Sequence, residues 1–241
     1  MALQRIDKIL AGTGMWSRKE VKELVRQNRV TVDGKTVKKP EEKADTNTMR
    51  IQVNGKDVDC AEFIYIMMNK PEGWLSATED KNQKTVLDLL PEHLQRRGLF
   101  PVGRLDKDTV GLLLLTDDGA MAHELLSPKK HVDKVYHAWV DGIIEGSDVQ
   151  ALAQGMVLGD GLHCLPADLK ALGAGDECLV TLREGKYHQV KRMLAARGKP
   201  VLKLKRLSMG PLKLDENLSY GNWRELNEEE LAALKSSVDC G

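Results

Sequence analysis

The sequence predicts an α+β protein built on a mixed, largely antiparallel sheet. Strand patterns outnumber helix patterns along the 241 residues, and they do not alternate regularly as strand–helix–strand units. A compact opening with two helix patterns and two tight hairpins adds a small unit of its own before the main sheet begins. A content of 41% hydrophobic and 30% charged residues describes a soluble globular chain and excludes a disordered one. Length allows one or two domains. No apolar run reaches membrane-spanning length, and Met1-Ala2-Leu3-Gln4-Arg5 lacks the apolar region of a signal peptide. Cys60, Cys164, Cys178 and Cys240 are scattered with no C-x-x-C pair. Neither a zinc site nor a disulfide framework is expected, and a reducing cytoplasm fits.

Leu3, Ile6, Ile9 and Leu10 have helical spacing, stopped by Gly12-Thr13-Gly14. Ser17 with Glu20 three residues on is a capping-box signature that opens a helix burying Val21, Leu24 and Val25. Val30 to Val37 around Asp33-Gly34 reads as a tight hairpin, and Met49, Ile51 and Val53 before Asn54-Gly55 read as a second. This unit is expected to end near Asp59, giving domains at 1–60 and 61–241. Phe63–Met68 reads as a buried strand broken by Asn69-Lys70-Pro71-Glu72-Gly73, with Trp74-Leu75-Ser76 as the next strand. Val86, Leu89 and Leu90 suggest a short helix. Leu112–Leu115 is too short for a globular helix and reads as a buried strand cut off at Asp118-Gly119. A helix over 120–126 follows, ended by Ser127-Pro128, then a strand over 134–140, a helix around Ala151 and Leu152, and a strand over 178–182. Val190, Met193 and Leu194 continue a helix that begins near His188 and stops at Gly198. Val201, Leu204 and Leu207 mark a basic strand, and Asn227 caps a last acidic helix over 228–234.

Charge is unevenly spread although the total is zero. Residues 1–39 carry ten Lys or Arg against four Asp or Glu; residues 183–206 carry nine against one. The tail from Asp215 carries two against seven. Two separated basic blocks imply a polyanion met at two places. Arg18, Lys19, Lys22, Arg26 and Arg29 lie on or just after the second helix, whose basic outer face suits a phosphate backbone. Between the blocks lies the charged, glycine-bounded loop Gly103-Arg104-Leu105-Asp106-Lys107-Asp108-Thr109-Val110-Gly111, feeding directly into the apolar strand. A carboxylate beside Arg104 and Lys107 favours its ionised form. That arrangement suits a nucleophile or base, and it equally suits a surface ion pair. Asp117-Asp118-Gly119 lacks the further acids of a calcium loop and reads as a turn.

The opening unit, over roughly residues 3–58, resembles the S4 RNA-binding domain. Behind it stand Met68-Asn69-Lys70-Pro71-Glu72-Gly73, the Gly103-Arg104-Leu105-Asp106 loop, and Glu184-Gly185-Lys186-Tyr187-His188-Gln189-Val190-Lys191-Arg192-Met193. In that order they resemble the RsuA-type family of ribosomal RNA pseudouridine synthases, from Leu3 to the Leu226-Asn227-Glu228-Glu229-Glu230 ending. The resemblance implies an S4-like domain followed by a pseudouridine synthase domain, with no metal and no organic cofactor. The Tyr-His-Gln-Val-Lys-Arg form is more similar to the branch acting on small-subunit 16S rRNA than to the large-subunit branch. It implies as partner 16S rRNA, free or in an assembling small subunit, and a monomer with no membrane association. A 23S rRNA target is the nearest alternative. A non-catalytic RNA-binding or assembly factor is the alternative of another class.

What the resemblance implies for the site is specific. Asp106 is the aspartate that attacks the target uridine, at C6 or at C1′. Lys191 is the basic residue paired with it, with Arg192 as second candidate. Tyr136 is the strand tyrosine that packs against the base and assists proton movement at C5. Family members often carry threonine between the lysine and tyrosine that align with Lys134 and Tyr136; here Val135, also β-branched, keeps the strand. Arg104 is expected to hold a phosphate or fill the space left by the base. Arg5, Arg18, Lys19, Lys22, Arg26, Arg29, Lys134 and Arg192 complete the expected RNA contacts. His188 is read as a structural helix-start residue and Lys70-Pro71 as a turn near the site.

Overall fold

The computed structural model describes residues 3–127 and 130–239, so Pro128 and Cys240 lie outside the described residues. The chain forms two compact units: one reaches Ile64 and includes Leu90–Leu99, and the other comprises Tyr65–Leu89 and the chain from Phe100.

The smaller unit contains β1 (Gln4–Arg5), α1 (Ile6–Gly12), α2 (Arg18–Arg26), β2 (Val30–Val32), β3 (Lys35–Thr36), β4 (Lys43–Ala44), β5 (Ile51–Val53), β6 (Lys56–Asp57) and α3 (Glu92–Arg96). The α2 capping box forms on both sides: the Glu20 amide donates to Ser17 Oγ at 3.2 Å, and the Ser17 amide to Glu20 Oε2 at 2.7 Å. Both hairpin turns put two consecutive residues in the left-handed region, Asp33 and Gly34 (φ 48° and 75°) and Asn54 and Gly55 (55° and 74°). Those turns match the twist of the strands they join. Ile6, Ile9, Leu10, Val21, Leu24, Val25, Val30, Ile51 and Val53 form one core. Leu3 lies outside the first helix and is exposed, because the chain before Ile6 pairs as β1 with β4. Helix α3 was not apparent from apolar spacing. It packs on this unit through Gly14 (φ 75°), where a Cβ would overlap the His93 carbonyl.

The larger unit is organised by a nine-stranded sheet. Its strands are β7 (Tyr65–Lys70), β8 (Phe100–Pro101), β9 (Val110–Thr116), β10 (Lys134–Val140), β13 (Asp168–Leu172), β14 (Glu177–Leu182), β15 (Val201–Met209), β16 (Leu212–Lys213) and β17 (Trp223–Glu225). A separate two-stranded pair is β11 (Met156–Val157) and β12 (His163–Cys164). The main order is β13-β14-β10-β15-β9-β7-β17; β15 and β9 run parallel and the other pairs antiparallel. Leu112–Leu115 at the centre are fully buried, and each adds roughly 1.5–3 kcal/mol of hydrophobic stabilisation.

Helices α4 (Gly119–Leu126), α5 (Gly146–Ala153), α6 (Gln189–Ala196) and α7 (Glu228–Asp239) flank the sheet strands in the chain. Asp118 does more than turn the chain. Its Oδ1 accepts the Met121 amide at 3.0 Å as the α4 N-cap, and its Oδ2 accepts the Tyr65 hydroxyl at 2.6 Å. Trp74-Leu75-Ser76 is not a strand: Leu75 makes only an isolated bridge to Thr85, and Ser76 turns inward to the loop described below. Strand β7 starts two residues later than Phe63, which is exposed, and extends to buried Asn69 and Lys70.

Candidate active site

The Gly103–Thr109 loop joins β8 to β9 and is pinned from both flanks. Ser76 Oγ donates to the Leu105 carbonyl at 3.0 Å and accepts its amide at 3.1 Å. Lys70, at the end of β7, is fully buried, and its ammonium donates to the carbonyls of Pro71 (3.0 Å), Lys107 (3.2 Å) and Thr109 (2.9 Å). Burial pushes the Lys70 pKa down to about 8, against the opposing pull of Asp108, Asp106 and Glu72. Lys70 is therefore a strut under the loop. The Asn69-Lys70-Pro71 motif signalled a turn, but spacing alone could not show that the lysine points inward.

With its backbone fixed, Asp106 presents a carboxylate that is one-quarter exposed. Lys191 Nζ lies 3.6 Å from its Oδ2, and His188 Nε2 lies 3.4 Å from its Oδ1. Lys191 also holds Asp108 Oδ1 at 2.5 Å. Burial works to raise the Asp108 carboxyl, but the hydrogen bond and charge of Lys191 outweigh it and hold it below its usual range. Arg192, the neighbouring candidate, points elsewhere and pairs with Asp160 at 2.5 Å.

His188 is the residue that sequence reasoning set aside. It sits before α6 with left-handed backbone angles (φ 50°, ψ 32°), stacks on Tyr187 with ring centroids 3.8 Å apart, and turns its ring to Asp106. A non-glycine residue in that conformation stores strain, and strain of this kind collects at functional sites. Only the Glu-Gly-Lys-Tyr-His-Gln motif offered a signal for it.

Tyr136 on β10 is buried and lines a cleft with Arg104, Leu105, Asp106, His188 and Leu204. Asp106, Tyr136, Lys191 and Arg104 thus converge, although they come from three distant stretches of chain. Arg104 is exposed. Lys134 is instead buried, two residues before Tyr136 on the same strand. Arg18, Lys19, Lys22, Arg26 and Arg29 lie exposed on the smaller unit, while Arg5 there is committed to Asp7 (2.8 Å) and Glu41 (3.3 Å). Among the described residues, no group of three His, Cys, Asp or Glu converges as a metal set. No helix among them is long and apolar enough to cross a membrane.

The RNA pseudouridylate synthase model matches residues 64–196, and the S4 domain model matches residues 4–49. The chain belongs to the RNA pseudouridylate synthase family. It is 50% identical over 233 residues to an uncharacterised RNA pseudouridine synthase of Bacillus subtilis, covering 95% of this chain and 98% of that one. It is 39% identical to the ribosomal small subunit pseudouridine synthase A of Vibrio cholerae, over 95% of this chain and 99% of the relative. Ribosomal large subunit pseudouridine synthase B of Bacillus subtilis is 38% identical, over 99% and 98%. A crystal structure of a pseudouridylate synthase superposes with a TM-score of 0.68 at 34% identity, covering 96% of this chain and 99% of that one. The protein is a pseudouridine synthase with an S4 domain ahead of its catalytic domain.

Proposed function

We propose that the protein isomerises a specific uridine of 16S ribosomal RNA to pseudouridine, with Asp106 as nucleophile. The observation that carries this is the meeting of separate motifs at Asp106, which lines one cleft with Tyr136 and has Lys191 Nζ 3.6 Å from its carboxylate. The reaction balances without an oxidant or reductant: the N1–C1′ bond breaks, the uracil rotates, a C5–C1′ bond forms, and the C5 proton leaves while N1 gains one. The carboxylate must be ionised and fixed, whether it attacks C1′ or C6. Lys191 and His188 face its two oxygens, and Lys70 and Ser76 immobilise its backbone. Tyr136 packs on the face of the base and assists proton loss from C5. The uridine has to leave its stack to reach this cleft, as in other base-modifying enzymes. The exposed cations of α2 hold flanking RNA, and the enzyme works in the cytoplasm.

Identity alone does not separate the subunits, since relatives named for each stand at 39% and 38%. Tyr187-His188-Gln189-Val190-Lys191-Arg192 favours the small subunit. Pseudouridine mapping of 16S and 23S rRNA from cells with and without the protein is the test. Loss of one 16S modification is expected; loss confined to 23S moves the target to the large subunit, and no loss in either overturns the proposal.

A further inference from the structure

Beside the Asp106 cleft, and sharing Arg104, Tyr136, Gly185 and Lys186 with it, lies a cavity of about 650 Å³. That is the size of a ligand pocket. Its wall contains two buried cations, Lys134 (7% exposed) and Arg206 (2% exposed). Arg206 is the direct cross-strand partner of Tyr136, and the β10–β15 register slips between Val135 and Tyr136. Such irregularities re-aim side chains next to sites.

Among the described residues neither cation forms a salt bridge, and Asp133, next to Lys134 in the chain, is paired with Arg183 at 3.0 Å. Arg206 Nε donates to the Leu112 carbonyl at 2.7 Å, but its Nη2 is buried with no hydrogen-bond partner among the described residues. Lys134 Nζ donates to the Val132 carbonyl at 3.0 Å. Burial, then the charge of Arg206, push the Lys134 pKa down to about 8. The one carboxylate in the wall, Glu184, is already engaged by Lys186 (2.9 Å), the Leu165 amide (2.8 Å) and Gln189 Nε2 (2.5 Å). Two like charges held side by side away from water, with a guanidinium N–H left open, cost stability unless something anionic completes them.

We propose that Arg206 and Lys134 form a phosphate subsite that takes a backbone phosphate of the RNA beside the nucleotide packed on Tyr136. A guanidinium with a free N–H matches a phosphate oxygen, and a lysine supplies a second point charge. Cross-strand neighbours stand about 5 Å apart at Cβ, so one nucleotide can reach both Tyr136 with its base and Arg206 with its phosphate. The assignment of the phosphate to RNA rests on the function proposed above; the anion site itself does not.

The test has two arms. In the first, thermal unfolding of the full chain is compared in inorganic phosphate and in chloride at matched ionic strength. Saturating phosphate is expected to raise Tm of the wild type by roughly 5 °C, while Arg206→Gln loses the shift and Lys134→Met loses most of it. Lys134→Met deletes a charge while keeping side-chain bulk, so it decides the question even if Arg206→Gln does not fold. In the second arm, single methylphosphonates replace the linkages flanking the uridine that the wild type isomerises. One linkage is expected to lower kcat/KM about tenfold in the wild type and to have no effect in the Arg206 variant. An undiminished phosphate shift in both variants, or methylphosphonate losses that persist in Arg206→Gln, would overturn the subsite. If no rRNA uridine is isomerised, the proposed function falls, while the first arm still decides whether the anion site exists.

Discussion

Lys134→Met is expected to make the enzyme more stable at neutral pH while weakening its hold on RNA. The Lys134 ammonium is buried and titrates near 8 instead of its usual 10.5, so the folded state disfavours its charge by about 3 kcal/mol. Losing the bond to the Val132 carbonyl returns about 1 kcal/mol of that, which leaves a net gain near 2 kcal/mol. At pH 7 the folded and unfolded chains both carry the proton, so the wild type bears the whole penalty. Between pH 8 and 10.5 the folded wild type releases its proton before the unfolded chain does, and its stability rises relative to the variant. Urea unfolding of the larger unit should show a midpoint about 1 M higher for the variant at pH 7, for a slope near 2 kcal/mol/M. The gap should close by pH 10. Equal midpoints at pH 7, or a gap that widens with pH, would refute the reasoning.

Neutralising Arg18, Lys19 and Arg26 together should weaken rRNA binding and flatten the slope of log K against log salt by about 2 to 3, as titrations over a salt series would show. An unchanged slope would remove α2 from the RNA interface. Lys191→Met should lower kcat about a hundredfold with little change in KM, and Lys191→Arg should recover part of the loss, because the group acts on Asp106 and not on ground-state binding. Gly111→Ala should fail to accumulate as folded protein, since Gly111 has φ 102° and a Cβ there would overlap the Arg206 carbonyl where β9 and β15 run side by side. Circular dichroism and limited proteolysis would report it.

Much of the fold was legible because its signals are local. The Ser17–Glu20 box, the Asp33-Gly34 and Asn54-Gly55 turns and the Leu112–Leu115 run each declare their structure within a few residues. Trp74–Ser76 misled because an apolar pair after a turn resembles a strand, whereas Ser76 spends its hydroxyl on the Leu105 backbone. Helix α3 was missed because one buried leucine, Leu94, gives no periodicity to read. The candidate site was legible only as motifs. That Lys191 and not Arg192 faces Asp106 depends on the rotation of α6, which the left-handed turn at His188 sets. Arg206 was invisible for a related reason. In a basic strand nothing marks which cation turns inward, and only the pairing with Tyr136 shows it.

The most direct test of the central claim is conversion of uridine to pseudouridine in a 16S rRNA transcript by purified wild type and Asp106→Asn, with RNA affinity measured on the same preparations. The predicted result is conversion at one uridine by the wild type, none above background by the variant, and affinities within about twofold, since the two side chains are nearly isosteric and Asp106 does its work in the reacting state. Wild-type turnover by Asp106→Asn would contradict the account.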